Sequence, residues 1–267
     1  MYQHLLASWR ACVRSHSFRS ISILALLLLI FAYMASNFSG RSPQTITLDV
    51  GISGIRITVL LMAVFWVQEL LGREIDRRTV YFSLAYPVER MSYLLGRYFG
   101  VVAMAGLAVF FMGLSLLLLV TLAGNGYHQA FQVDMQLTYF GNMLLIWLDI
   151  ACVLAFVFLL SSLATSALLP MMLGITFAVI ARSYGSVLAL LADKQGEAAD
   201  IAPVFMPLVN MIAWLIPDLG RLDVRASVLY RAPINYPDLA VNIVVVVAYS
   251  AFSLGLAALL FSRREFN

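Results

Sequence analysis

The sequence is poor in charged residues, lysine, histidine and cysteine. Only 12% of its 267 residues are charged, whereas 62% are hydrophobic. Soluble domains average about 25% charged and about 45–50% apolar residues, and a soluble globule of this length cannot bury so much apolar surface. The composition therefore excludes a soluble enzyme, a disordered tail and a disulfide-rich secreted scaffold. It predicts a chain surrounded mainly by lipid.

Lysine is nearly absent, because Lys194 is the only one beside 16 arginines. A phosphate-binding loop of the G-x-x-x-x-G-K-[ST] type needs a lysine that follows a glycine, but Lys194 follows Asp193. The chain is therefore predicted not to hydrolyse ATP by itself. The histidines at positions 4, 16 and 128 do not have metal-ligand spacing. We therefore predict no metal and no other cofactor in this chain.

Long apolar stretches take the place of the missing charges. A helix needs about 20 apolar residues to cross the hydrocarbon core of a bilayer, and we find six such stretches. The fold class predicted is an all-α membrane protein with six transmembrane helices. A further apolar stretch, 201–217, is short and rich in proline, so we interpret it as a re-entrant or interfacial segment between spans five and six. The predicted spans are about 20–38, 52–70, 98–123, 138–160, 167–190 and 239–261.

The arginines orient these spans. They cluster before span one, between spans two and three, and after span six. Because cytoplasmic loops carry an excess of arginine, the N-terminus is predicted to be cytoplasmic. With six spans the C-terminus is cytoplasmic as well, and segment 191–238 is external. Residues 1–19 place apolar and basic side chains on opposite helical faces, which predicts an interfacial helix. A seven-span arrangement, in which 201–217 crosses the membrane, fits the arginines equally well.

The loop between spans two and three is the most informative segment. The helical pattern of span two continues beyond its apolar part, with favourable pairs Glu69–Arg73 and Glu74–Arg78. Pro87 ends this helix, and 88–95 is predicted to form a short second helix before Gly96-Arg97 leads into span three. Mixed charges with exposed aromatic residues suit a docking surface for a protein. A loop that only sets the membrane topology is the alternative, and these features alone do not separate the two.

The order of residues in this loop resembles the signature of type-2 ABC exporter permeases, E-x-E-x-G-T…L-x-x-P-[IV]-x-R, in the membrane subunits of ATP-binding cassette transporters. The proline-acid stretch 215–223 and the basic ending 261–266 are also similar to that family, so the resemblance extends over the whole chain. The fifth signature position departs from the pattern, because Arg78 stands where the family often has glycine. We therefore expect a continuous helix there. The matching residues in the loop are Glu74, Asp76, Thr79, Pro87 and Arg90.

The resemblance implies a permease that forms the substrate path of an ATP-driven exporter in the bacterial inner membrane. A separate ATPase subunit, which binds ATP and Mg, would dock on the cytoplasmic coupling loop 71–97. A second permease copy would face the first across the path, and no nucleic acid partner is expected. The resemblance also favours six spans over seven. The residues implied in coupling are Glu69, Glu74, Asp76, Arg77, Arg78, Thr79, Pro87 and Arg90.

Three ionisable side chains fall inside predicted spans, where such groups are functional hypotheses by default. Counted at 1.5 Å per residue from the outer ends of spans four and five, Asp149 and Arg182 differ in depth by about one helical turn. A pair between them is therefore feasible, and it could serve either to neutralise both charges or to line a polar substrate path. Arg56 is placed about one turn from the outer surface, so we expect it to extend its guanidinium to that surface.

Other classes of protein remain as alternatives. A secondary transporter would share the apolar spans, although the inverted repeats and broken helices typical of such folds are not evident. A non-transporting assembly or immunity factor would share the docking loop. The stretch Gly51-Ile52-Ser53-Gly54 formally resembles the motif of an intramembrane serine protease. That chemistry needs a base beside the serine, and no histidine lies in a predicted span, so we do not predict an enzyme.

Overall fold

The computed structural model describes residues 16–38, 42–72, 90–124, 133–164, 166, 168–192, 211 and 215–263. Every regular element in these ranges is helical. The elements are α1 (His16–Asn37), α2 (Pro43–Val67), a π-helical turn (Gln68–Gly72), α3 (Arg90–Gly124), α4 (Leu137–Leu163), α5 (Leu168–Ala192), a 3-10 helix (Leu219–Leu222), α6 (Arg225–Tyr230) and α7 (Tyr236–Arg263). Most of the predicted interfacial helix 1–19 and nearly all of 201–217 lie outside the described residues.

Five helices are long and apolar enough to cross a membrane, namely α2, α3, α4, α5 and α7. Their mean hydropathy ranges from 1.5 in α5 to 2.7 in α4. The apolar stretch of α1, Ile21–Ser36, is shorter. The described residues thus contain five candidate spans where the sequence predicts six. These apolar helices indicate a membrane protein of the multi-pass type.

The centre of the bundle is formed by α2 and α4. In each of these two helices, 61% of the most apolar 18-residue stretch is buried, against 24% in α5 and 28% in α7. Helix α4 packs against α2, α3, α5 and α7, and a helix surrounded in this way is apolar on nearly all sides. The outer faces of α1, α5 and α7 expose large side chains such as Leu27, Met172 and Val244. Such apolar surfaces are typical of membrane contact.

Consecutive long helices run in opposite directions, so the bundle has two ends. We call the end where α2 finishes and α3 begins the inner end, and the opposite end the outer end. Aromatic residues dominate the contacts at the inner end. Tyr93 of α3 stacks on Phe261 of α7 with ring centroids 6.2 Å apart, and the hydroxyl of Tyr98 donates to the carbonyl of Ala151 at 3.0 Å. These contacts join α3, α4 and α7 into one packed unit.

Two helices, α2 and α3, begin eight or nine residues before the spans that the sequence predicts. Helix α2 starts at Pro43 instead of residue 52, since proline is favoured in the first turn of a helix. Helix α3 starts at Arg90 and continues without a break through Gly96-Arg97, so the predicted separate helix at 88–95 is wrong. Tyr93 and Leu94 are each 1% exposed. Their packing outweighs the cost of about 1 kcal/mol for one glycine within a helix.

The segment after α5 does not simply lie outside the bundle. Its described part, 215–235, packs the 3-10 helix and α6 against the outer ends of α2, α4, α5 and α7. Leu219, Leu222, Val228 and Leu229 are buried there. The backbone N–H of Asp134 donates to the carbonyl of Val228 at 3.0 Å, which joins α6 to the chain just before α4. This segment, 215–235, therefore packs across the outer end of the bundle, and we call it the closing segment.

Candidate functional site

A network of charged side chains runs from the outer end of the bundle to its middle. It contains three acidic and three basic residues, so it is neutral as a whole. Its members come from α2, α4, α5 and the stretch from the end of the 3-10 helix to the first residue of α6. These elements are far apart in sequence. They are Asp49 and Arg56 of α2, Asp149 of α4, Arg182 of α5, and Asp223 and Arg225 of the closing segment.

Asp149 and Arg182 form the deepest pair of the network. Nε and Nη2 of Arg182 both donate to Oδ2 of Asp149, at 3.0 and 2.7 Å. The Asp149 side chain is only 3% exposed, and a buried charge of this kind is tolerated only when it is paired. The structure thus contains the pair that the depth estimate from the sequence gave as feasible. The role of the pair in transport stays a prediction.

Arg56 corrects the sequence-based expectation. Its guanidinium does not extend to the outer surface, because Nη1 donates to Oδ2 of Asp223 at 2.6 Å and Nε lies 4.0 Å from Oδ2 of Asp149. Since α2 begins at Pro43, Arg56 lies about 20 Å along the helix from its first residue, at 1.5 Å per residue. The side chain is 13% exposed. Arg56 therefore connects the deep pair to the closing segment.

Arg225 completes the network toward solvent. Its Nη1 donates to Oδ1 of Asp49 at 2.7 Å and to Oγ of Ser53 at 2.9 Å, and its Nη2 lies 3.3 Å from Oδ2 of Asp223. The hydroxyl of Ser53 itself donates to the carbonyl of Asp49 at 2.9 Å. Ser53, the serine of the formal protease motif, is thus engaged on both its donor and its acceptor side.

Asp223, like Arg225, holds the closing segment to α2. Besides accepting from Arg56, its Oδ1 accepts from the backbone N–H of Arg225 at 3.1 Å. Burial by itself would raise the pKa of Asp223, but the hydrogen bond and charge of Arg56 and the charge of Arg225 outweigh burial and hold the pKa below its ordinary value. Asp223 is therefore a carboxylate at neutral pH.

Two glycines let the closing segment approach α5 closely. A Cβ at Gly185 of α5 would lie 2.6 Å from Oδ2 of Asp218, and a Cβ at Gly220 would lie 2.8 Å from the carbonyl of Arg182. Asp218 in turn accepts from the backbone N–H of Gly220 and from Nε of Arg221, both at 3.0 Å. The 3-10 helix is therefore packed tightly beside Arg182 of the deep pair.

The predicted coupling residues are described only in part. Glu69 lies in the π-helical turn at the inner end and is half-buried, and Arg90 is the first residue of α3. Arg97, predicted to lie in the loop, is instead buried in α3 with its guanidinium 5.3 Å from the ring centre of Tyr93. The other predicted coupling residues lie outside the described residues. These are Glu74, Asp76, Arg77, Arg78, Thr79 and Pro87.

Sequence reasoning missed Asp49, Asp223 and Arg225. Both aspartates were assigned to segments outside the membrane, and Arg225 is separated from Asp49 by 176 positions. The signal that could have found the two aspartates is composition, because acidic residues are rare in this chain and each of these lies near an apolar stretch. Within the described ranges, no group of three or more metal-ligating side chains occurs. The network can therefore join helices through ion pairs, and its contacts can break when one member moves.

Comparison of the chain with protein-family models and with curated proteins finds no match.

Proposed function

We propose that this chain is the permease subunit of an ATP-driven ABC exporter in the bacterial inner membrane, with cytoplasmic termini. In this proposal α1 is the first of six spans, and two copies of the permease face each other across the substrate path. The observation that carries the proposal is the sequence signature between residues 74 and 90. In the chain it lies between two helices that are packed in the bundle. Helix α2 and its π-helical turn lead into the segment, and α3 leads out of it.

The geometry of these two helices suits a coupling role. Tyr93, near the start of α3, is held by stacking on Phe261 of α7, so a push on the loop would move packed helices and not a tether. Helix α2 and its π-helical turn carry Glu69 at the inner end and Arg56 in the network, about 20 Å apart at 1.5 Å per residue. A displacement of α2 by the partner would therefore reach the ion pairs that close the outer end.

The division of labour follows from the same arrangement. ATP and Mg would bind to the separate ATPase subunit, which would contact the coupling loop. Binding and hydrolysis there would shift α2 and α3, and the ion pairs of Arg56 would break as the outer end opens. The side chains of this chain would position and transmit but would not hydrolyse. By resemblance, the coupling region would include Glu74, Asp76, Arg77, Arg78, Thr79, Pro87 and Arg90.

Co-purification from the native host tests this proposal most directly. The wild-type chain is expected to retain an ATP-binding subunit, and the double substitution Arg77→Glu with Arg78→Glu is expected to lose it. Arg231→Gln is the matched control and should retain the subunit. Arg231 is an exposed arginine directly after α6, at the outer end of the bundle. A purified chain that moves its cargo without any ATPase would overturn the proposal.

The network favours a secondary transporter as the second candidate. Asp149 is a buried carboxylate whose Oδ1 has no hydrogen-bond partner in the described part of the chain, and intramembrane carboxylates occur in proton and ion paths. Proteoliposomes separate the two functions. An exporter needs the ATPase subunit and ATP for transport. A secondary transporter needs only an ion gradient and stops working in Asp149→Asn.

A further inference from the structure

The gap between Arg56 and Asp149 is too wide for a direct hydrogen bond. Nε of Arg56 lies 4.0 Å from Oδ2 of Asp149, whereas an N–H···O hydrogen bond joins heavy atoms about 2.7–3.2 Å apart. Two atoms that bind the same water molecule at about 2.8 Å each lie about 4–5 Å from one another. The separation therefore fits one bridging water.

Both sides of this gap have unused hydrogen-bonding capacity. Nε of Arg56 and Oδ1 of Asp149 are buried, and neither atom has a hydrogen-bond partner within the described residues. The Arg56 guanidinium is held by its Nη1, which donates to Asp223 at 2.6 Å, so a turn of Nε toward Asp149 would disturb that bond. Internal water usually supplies the bonds that such buried groups lack. A water that accepts from Nε and donates to Oδ1 would satisfy both atoms.

A second unpaired side chain lies on the same face of α4. Asn142 precedes Asp149 by seven residues, which is two helical turns and places it about 10 Å nearer the outer end. Asn142 is 0% exposed, and neither its amide nitrogen nor its amide oxygen has a partner among the described residues. An asparagine amide offers two donors and an acceptor oxygen. It can therefore bind more than one water.

The same seven-residue step along α2 leads from Arg56 to Asp49. Helices α2 and α4 pack against each other and both begin at the outer end, so Asp49 and Asn142 lie at similar depth. The side chains become more exposed in that direction, from 3% for Asp149 through 13% for Arg56 to 51% for Asp49. This gradient gives water a route from the outer solvent to the middle of the bundle.

We propose that the seam between α2 and α4 binds a short chain of internal water molecules. One water bridges Nε of Arg56 and Oδ1 of Asp149, and others bind the amide of Asn142 and connect this bridge to the outer solvent. The ligand is water and not a metal cation, because the guanidinium groups of Arg56 and Arg182 lie beside the same carboxylate and would repel another positive charge. The water fills the hydrogen-bonding positions that the ion pairs leave open, which helps both charges to remain ionised in the interior.

Water-edited solid-state NMR of the full chain tests this site, because it measures how fast magnetisation passes from water to each N–H group. The chain carries isotope-labelled arginine and asparagine and is reconstituted in vesicles of phosphatidylethanolamine and phosphatidylglycerol. The arginine signals are assigned by their loss in Arg56→Lys and Arg182→Lys.

Arg182 is the internal control of the NMR experiment. Its Nε donates directly to Oδ2 of Asp149 at 3.0 Å, and its side chain is 18% exposed against 13% for Arg56. Exposure alone therefore predicts faster transfer to Arg182. A bridging water predicts severalfold faster transfer to Nε of Arg56. Equal or slower transfer to Arg56 would overturn the proposal.

A pair of variants tests whether the water forms a connected path. Asn142→Leu keeps the size of the side chain but removes its polar atoms, so transfer to Nε of Arg56 should slow severalfold. Asn242→Leu is the matched control and should leave this transfer unchanged, since Asn242 is half-buried on α7, outside the network. Unchanged transfer in Asn142→Leu would overturn the path, as would slow transfer to the Asn142 amide of the wild-type chain. The vesicles contain no ATPase, ATP or cargo, so either result is independent of the proposed transport function.

Discussion

The two ends of the bundle are held together by different kinds of contact. At the inner end, Tyr93 and Phe261 stack and are almost fully buried. At the outer end, Arg56 of α2 pairs with Asp223 of the closing segment, and Arg225 of the closing segment pairs with Asp49 of α2. The energy of aromatic packing changes little with small displacements. An ion pair in a low-dielectric interior, in contrast, leaves costly unpaired charges when it is broken. The inner end is therefore held mainly by apolar packing and the outer end by ion pairs, so substitutions that remove a charge should act mainly on the outer end.

Removing the deepest charge should break this comparison most strongly. Asp149→Asn leaves Arg56 and Arg182 with one negative charge fewer in the interior, and breaking a buried pair costs about 3–5 kcal/mol. We expect a large drop in the thermal unfolding temperature of the purified chain in detergent. Arg182→Gln alone should also be destabilising.

The double variant Asp149→Asn with Arg182→Gln restores neutrality. It should therefore be less destabilised than the sum of the two single variants, with a coupling of about 1–3 kcal/mol. Strict additivity would show that the two residues act independently and not as a pair.

The approach of the closing segment to α5 offers the next largest effect. Gly185→Ala would place a methyl group 2.6 Å from the carboxylate of Asp218. Overpacking of this kind costs about 1–3 kcal/mol. Relief requires the Asp218 carboxylate to turn away, which breaks its hydrogen bonds to Gly220 and Arg221 and loosens the 3-10 helix. A cysteine placed at Ser227, which is buried in α6, should then react faster with a water-soluble maleimide.

Gly255→Ala is the matched control for that experiment. A Cβ at Gly255 of α7 meets nothing within 4 Å, so this variant should match the wild type or be slightly more stable, because alanine favours the helix. Equal reactivity of the Ser227→Cys probe in both backgrounds would show that the closing segment does not depend on the contact at Gly185.

The sequence alone predicted the apolar helices well and their ends poorly. Hydrophobic length identifies the lipid-facing part of a helix, but α2 extends back to Pro43 through residues that include Asp49. Placing the start of span two at 52 assigned Asp49 to a loop and brought Arg56 too near the surface. Helix α3 was divided at Gly96-Arg97 because glycine and arginine resemble a boundary, although the tertiary packing of Tyr93 and Leu94 keeps the helix continuous.

The candidate site was predictable only where both partners lay in predicted spans. Asp149 and Arg182 met that condition, and a depth count sufficed to pair them. Asp223 and Arg225 lie in a segment predicted to be external, and no local pattern shows that it packs into the outer end. Long-range ion pairs depend on the tertiary arrangement of helices, which hydrophobic periodicity in one chain does not specify.

The inner end supplies a smaller effect that sharpens the comparison. Phe261→Leu keeps the contact apolar but removes the stacking on Tyr93, which is worth about 0.5–1.5 kcal/mol for an aromatic pair. We expect a modest loss of thermal stability that is the same at low and high salt. Asp49→Asn, which removes the partly exposed pair with Arg225, should in contrast be destabilising at low salt and nearly neutral at high salt, because salt screens exposed charges. A strong salt dependence in Phe261→Leu would contradict the division into an aromatic end and an ionic end.

The smallest effect concerns pH. Because the folded pKa of Asp223 is held below its ordinary value by Arg56 and Arg225, its contribution to stability is fully present above the ordinary aspartate pKa of about 3.9. That contribution is lost as pH falls through the lowered folded pKa. The side chain is 22% exposed, so solvent screening keeps the effect small. Unfolding curves of wild type and Asp223→Asn should therefore differ near neutral pH and converge in acid. Asp238→Asn, outside the network, should leave that difference unchanged. Curves that stay parallel into acid would mean that the carboxylate of Asp223 does not hold the outer end closed.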